Sequence, residues 1–122
     1  MDALRDVMST TLVTVEPHAT VAEAAALMSI HHVGAVLVVV EGALHGIFTE
    51  RDIVRALAAE HDAAHHTAAD WMSRDPITLH PDATIDEARD RMLKEGFRHI
   101  PVLQDGRVVG IVSLRDLSGR LR

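Results

Sequence analysis

The chain contains itself twice. Displaced by 64 positions, residues 6–53 fall on residues 70–117 without a gap, and 16 of the 48 pairs are identical. Met8-Ser9 meets Met72-Ser73, Pro17 meets Pro81, and Ala19-Thr20 meets Ala83-Thr84. Glu23-Ala24 meets Glu87-Ala88, Met28 meets Met92, and Gly42 meets Gly106. Gly46-Ile47 meets Gly110-Ile111, and Arg51-Asp52 meets Arg115-Asp116. Many other pairs swap like for like, as in Val13/Ile77, Val36/Ile100 and Thr49/Ser113. The period is longer than that of common solenoids, and two copies are too few for an array. The expectation is a duplicated α+β domain: two small units packed against each other about a pseudo-two-fold axis. The 122 residues suffice for one compact module.

Each copy reads β-α-β-β-α. A short segment of helical character (residues 4–8, 68–72) precedes a first strand (12–15, 77–79). Pro17 and Pro81 end that strand, because proline donates no ladder hydrogen bond. Thr20-x-x-Glu23 and Thr84-x-x-Glu87 have the form of capping boxes. Apolar residues at Val21, Ala24, Ala25 and Met28, and at Ile85, Ala88, Met92 and Leu93, give each following helix one buried face. Lys94-Glu95-Gly96 is a helix stop, and His31-His32 sits where a C-terminal cap is expected. Two strands follow in each copy (35–40 with 44–48, 100–103 with 108–112), turning at Glu41-Gly42 and Asp105-Gly106. A helix closes each copy (50–59, 114–121). The expected organisation is a first unit over 1–60, an Ala- and His-rich linker over 61–69, and a second unit over 70–122.

Composition removes several classes of function. The net charge is −6 and only 2% of residues are aromatic, which argues against nucleic-acid binding by a global field or a stacking surface. No cysteine is present, so disulfides, thiolate metal sites and a cysteine nucleophile are excluded; a cytoplasmic setting is the expectation. The longest apolar run, residues 33–40, is too short to span a bilayer and reads as a buried strand. The N-terminus does not have the form of a signal peptide. No P-loop, dinucleotide fingerprint or His-Glu-x-x-His is present, and no serine lies in a nucleophile elbow. A non-enzyme with no catalytic cofactor is expected.

The candidate site is where the third strand of each copy meets the last helix. The first copy reads Gly46-Ile47-Phe48-Thr49-Glu50-Arg51-Asp52, and the second Gly110-Ile111-Val112-Ser113-Leu114-Arg115-Asp116. A hydroxyl followed three residues later by Asp is a helix N-cap, worth about 1 kcal/mol without any ligand. The same groups suit a nucleotide. A carboxylate can accept both hydroxyls of a ribose, a hydroxyl and helix N–H groups can donate to phosphate, and a glycine lets backbone approach a ligand closely. On these residues alone both readings stay open.

The repeated β-α-β-β-α order, the Met-Ser opening and the Gly-h-x-(Thr/Ser)-x-x-Asp ending together resemble a tandem pair of CBS domains, over residues 3–121. The resemblance implies two β-α-β-β-α units packed through their sheets, leaving two related clefts between them. It implies adenosine-type effectors: AMP, ADP, ATP, S-adenosylmethionine or NAD. Ribose-binding carboxylates would be Asp52 and Asp116. Phosphate contacts would come from Thr49, Ser113, Arg51 and Arg115, and in the second copy from Arg98 and His99. The first copy has Gly34-Ala35 in place of that basic pair, so the two sites are expected to be unequal. The adenine pocket would involve Thr11, Leu12, Pro76, Ile77, Ile100 and Pro101. The implied protein is a stand-alone regulatory module that dimerises with itself and acts on another protein. Ile53, Val54, Leu57, Leu117 and Leu121 would supply the dimer face. Two rival readings remain: an interaction protein whose motifs are only helix caps, and a metal sensor built on His61, His65 and His66 near Glu60 and Asp62.

Overall fold

The structure, a computed structural model, describes residues 2–118. It is an α+β protein whose chain forms two compact units, Val13–Pro76 and Met1–Leu12 with Ile77–Arg122. For brevity they are the Asp52 unit and the Asp116 unit. The compact units differ from the repeats in sequence at the opening segments. The stretch before the first strand of each copy is built into the body of the other copy.

The reason lies in backbone pairing. In the Asp116 unit a 3₁₀ turn, Leu4–Asp6, brings the Leu4 and Arg5 amides to the carbonyls of Ala83 and Pro81 at 2.9 and 3.0 Å. Leu4 is wholly buried there among Ile85, Met92, Ile100 and Leu117. Ser9 then exchanges two hydrogen bonds with Ile111, at 2.9 and 3.0 Å. In the Asp52 unit the short helix Ala68–Trp71 repeats this. The Ala68 and Ala69 amides reach Ala19 and Pro17 at 2.7 and 3.0 Å. Sixty-four residues separate each donor and each acceptor from its counterpart.

The elements of the Asp52 unit are β1 (Thr14–Val15), α1 (Val21–His31), β2 (Ala35–Val40), β3 (Ala43–Thr49), α2 (Glu50–Ala59), α3 (Ala68–Trp71) and β4 (Ser73–Arg74). Its sheet runs β1-β2-β3-β4, with β1 parallel to β2 and the rest antiparallel. The Asp116 unit holds α4 (Ile85–Glu95), β5 (His99–Gln104), β6 (Arg107–Ser113) and α5 (Leu114–Ser118). Here the outer strands shrink to single bridges, Leu79 with Val102 and Ser9 with Ile111. The strand expected over 77–79 is therefore one parallel bridge.

Local chemistry sets these boundaries. Both hairpin turns place two successive residues at positive φ: Glu41 and Gly42 at 49° and 82°, Asp105 and Gly106 at 53° and 78°. That matches a turn whose twist suits the flanking strands. Thr20 and Glu23 close a full capping box, with bonds of 2.9 and 3.0 Å. At Thr84 only the forward bond forms, from the Glu87 amide at 3.1 Å. The segment expected as a linker is structured: it carries a 3₁₀ turn, Ala63–His65, and its Ala63 and Ala68 are wholly buried.

Each unit has its own core. Val21, Ala24, Met28, Val36, Val38 and Phe48 fill one, and Ile85, Ala88, Met92, Ile100, Val112 and Leu117 the other. Leu117 therefore serves the core, not a dimer face. Ile53 is half-buried against its core, whereas Val54 and Leu57 are exposed. Leu121 lies outside the described residues.

Candidate functional site

The repeated glycine has a structural duty. A Cβ at Gly46 would lie 2.8 Å from the Ser73 carbonyl oxygen and 2.6 Å from the Met72 sulfur. One at Gly110 would lie 3.0 Å from the Ser9 carbonyl oxygen and would also strike Met8. The glycines admit the incoming Met-Ser segment against β3 and β6. Close approach of backbone is indeed what they permit, but the backbone belongs to the chain rather than facing a ligand.

Beyond the glycine, each motif ends at a helix. Thr49 is the N-cap of α2, in extended conformation at φ −122°. Its amide donates to Asp52 Oδ2 at 2.9 Å and its hydroxyl to the same oxygen at 3.2 Å. The Asp52 amide approaches Thr49 Oγ1 at 3.4 Å. A charged acceptor so close to a helix start also meets the positive end of the helix dipole. Asp52 Oδ1 is held by Arg55 Nη1 at 2.8 Å, one turn along α2. Asp52 is only 4% exposed, the one buried charged side chain among the described residues.

Asp116 is built alike but finished differently. The Ser113 amide donates to Asp116 Oδ2 at 3.2 Å, and the Asp116 amide to Ser113 Oγ at 3.1 Å. Its carboxylate is exposed, and Oδ1 has no partner among the described residues. Position 119, the counterpart of Arg55, is glycine in the sequence.

Strand register brings the second copy's basic pair to this motif. His99 lies opposite Ser113, and the Arg98 carbonyl accepts from the Leu114 amide at 2.8 Å. Arg98 is exposed and His99 half-buried. Within one unit, Arg98, His99, Ser113, Arg115 and Asp116 thus share one end of the sheet. In the Asp52 unit the same positions are Gly34, whose carbonyl accepts from the Glu50 amide at 3.1 Å, and Ala35, opposite Thr49. Arg51 and Arg115 are both exposed.

The residues expected around adenine differ in burial. Ile100 is wholly buried in the core, and Pro101 is equally enclosed. Thr11 is exposed and Leu12 half-buried at the end of one segment of the Asp116 unit, Ile77 is half-buried at the start of the other, and Pro76 closes the Asp52 unit.

Sequence reasoning did not find the side chains around Arg55. Its guanidinium carbon stands 5.8 Å from the centroid of Trp71, the sole tryptophan. The Trp71 indole N–H donates to His66 Nδ1 at 3.3 Å, and the two rings stack at 6.4 Å. His66 Nε2 faces Asp62 Oδ1 at 3.1 Å. The one available signal was the i, i+3 spacing of Asp52 and Arg55, which puts them on one helix face.

Of the histidines that suggested a metal, only His66 joins a potential ligand group, with Glu60 and Asp62, among the described residues. His61 and His65 do not join it. The bond from Trp71 occupies the Nδ1 lone pair, so in the neutral ring Nε2 carries the proton and donates to Asp62. That arrangement suits a hydrogen-bond chain better than a metal ligand. Among the described residues no helix is long and apolar enough to cross a membrane.

Comparison with known proteins agrees with the fold and the duplication. The family model for the CBS domain matches residues 4–59 and again 68–122. The CBS domain-containing protein YhcV of Bacillus subtilis is 35% identical over 118 residues, covering 97% of this chain and 84% of the relative. The crystal structure of the CBS-domain containing protein ATU1752 from Agrobacterium tumefaciens superposes with a TM-score of 0.92 at 32% identity, over 97% of this chain and 98% of that one. The CBS domain pair of protein MJ0100, solved in complex with 5'-methylthioadenosine and S-adenosyl-L-methionine, gives a TM-score of 0.90 at 33% identity, over 98% and 95% of the two chains.

Proposed function

Because the chain belongs to the CBS-domain family, which its two repeats represent in tandem, we propose that it is a regulatory module whose effector is an adenosine-type ligand. Binding is held chiefly by Asp116, and the output is a conformational or oligomeric change passed to another protein. The ligand is an effector, and no catalytic step belongs to this function. The observation that carries the proposal is the exposed Asp116 carboxylate, with an acceptor oxygen to spare, in one unit with Arg98, His99 and Ser113. A carboxylate with a vacant oxygen can take a ribose diol, and basic groups at the same sheet end can take phosphate. The MJ0100 complex supports an adenosyl ligand for a chain of this family.

The finer parts follow from the same residues. Arg98, His99 and Arg115 favour a phosphorylated ligand such as AMP, ADP or ATP over a neutral nucleoside, with S-adenosylmethionine and NAD as competing candidates. Asp52 offers a second site, made weaker by its bonds to Thr49 and Arg55. Exposed Val54 and Leu57, three residues apart on α2, supply apolar area for a homodimer. The setting proposed is the cytoplasm.

A thermal-shift series with AMP, ADP, ATP, S-adenosylmethionine, 5'-methylthioadenosine and NAD tests the function. A ligand at about 100 times its Kd adds about 2.7 kcal/mol, which for a domain of this size raises Tm by roughly 10 °C. Asp116→Ala should remove most of that shift. Unchanged ligand affinity in Asp116→Ala, with stability alone reduced, would leave the motif as a helix cap and end the proposal.

A further inference from the structure

The Asp52 side chain is a ligand group that already has an occupant. Oδ2 receives both Thr49 donors and Oδ1 receives Arg55. A sugar with adjacent hydroxyls can use this carboxylate only after one of those donors leaves. The Thr49 amide is fixed by the helix start. Arg55 is the removable one: its side chain is 56% exposed against 6% for Asp52, so its guanidinium is already half in water and can be solvated as it leaves. Besides Asp52 it has a second attachment. The guanidinium lies over the Trp71 ring, and that ring is oriented by its bond to His66. Cation–aromatic contacts of this kind are favourable on their own.

We propose that Arg55 is the gate and charge selector of the Asp52 site: a ribose diol displaces it from Asp52, and the released guanidinium, still seated on Trp71, attracts an anionic group of the same ligand. The site then takes a ribose that carries phosphate in preference to a neutral nucleoside. This rests on the adenosine-ligand function proposed above and extends it to the unit that lacks Arg98 and His99. Arg55 supplies from α2 the positive charge that Gly34 and Ala35 cannot. Nothing in the other motif repeats the device, since Val7 occupies the position of Trp71 and Gly119 that of Arg55.

The two effects of Arg55 have opposite signs for two probes, which separates gating from simple structural support. In an Asp116→Asn background, where only the Asp52 site remains, Arg55→Gln should bind adenosine about threefold more tightly, the scale of a half-exposed ion pair. It should bind AMP about tenfold more weakly. Arg55→Lys should keep AMP within about threefold of the parent. Emission from Trp71 reports the event without any Arg55 variant: AMP should shift it in the Asp116→Asn chain. A silent Trp71, or adenosine and AMP affinities that move in the same direction, overturns the gate. Loss of all binding in Asp116→Asn, with binding intact in the parent chain, also overturns it and leaves the function at Asp116 standing. Failure of the parent chain to bind either probe removes both.

Discussion

One motif has been finished in two ways. In the Asp52 unit the carboxylate is buried, both oxygens are engaged, and an arginine on an aromatic ring closes it. In the Asp116 unit the carboxylate is exposed, one oxygen is committed to Ser113, and the neighbouring strand carries Arg98 and His99. The helix-start geometry is shared, so it does not account for the difference in burial and pairing between the two carboxylates. The difference comes from residues outside the motif, one turn along the helix or across the sheet. A capping pattern is thus a platform whose use depends on its neighbours.

The largest expected effect tests whether the two units are equally well packed. Phe48 is wholly buried where the other unit has Val112. Phe48→Ala should cost about 3–5 kcal/mol in denaturant unfolding, and Val112→Ala less because it removes less volume. Equal costs would mean that the larger side chain fills no more core than the smaller.

The glycines come next. Gly46→Ala and Gly110→Ala should each cost about 1–3 kcal/mol, because a backbone oxygen must give way in both units. A neutral result at either would show that the incoming segment yields freely. Smaller effects separate the carboxylates. Asp52→Asn should lose about 1–2 kcal/mol, since it weakens a cap and an ion pair together. Asp116→Asn should lose about 1 kcal/mol or less, the cap alone. Reversal of that order, read from unfolding midpoints, would contradict the burial difference.

The smallest effect concerns pH. The Glu23 carboxyl is held below its usual value of 4.5, first by the Thr20 backbone amide and then by the Thr20 side chain. A lowered folded-state pKa stabilises the fold above the unfolded value and ceases to do so as pH falls through the folded one. Glu23→Gln should therefore lower Tm at pH 7 and match the parent chain in acid. A Tm difference that persists in acid would assign the effect to something other than charge.

Much of this was legible in the sequence because it is local. The duplication shows directly at the 64-residue offset, and the helix starts at Thr20 and Thr49, the Glu41-Gly42 and Asp105-Gly106 turns and the helix Glu50–Ala59 follow from patterns within a few residues. The strand expected over 77–79 is reduced to one bridge, and an edge that short has little periodicity to show. The role of Gly46 and Gly110 was hidden, since their neighbours Ser73 and Ser9 arrive from far along the chain. Trp71 and Arg55 meet across 16 residues, and no spacing rule connects such a pair. Leu117 was assigned to a surface because an apolar residue on a short helix does not reveal which side its core lies.

The exchanged openings bear on how the chain can be cut. Each copy is completed by the opening segment of the other, with Leu4 buried in one body and Ala68 in the other. Severing the chain at residue 62 should therefore yield two fragments that are each incomplete and that regain their fold only when mixed.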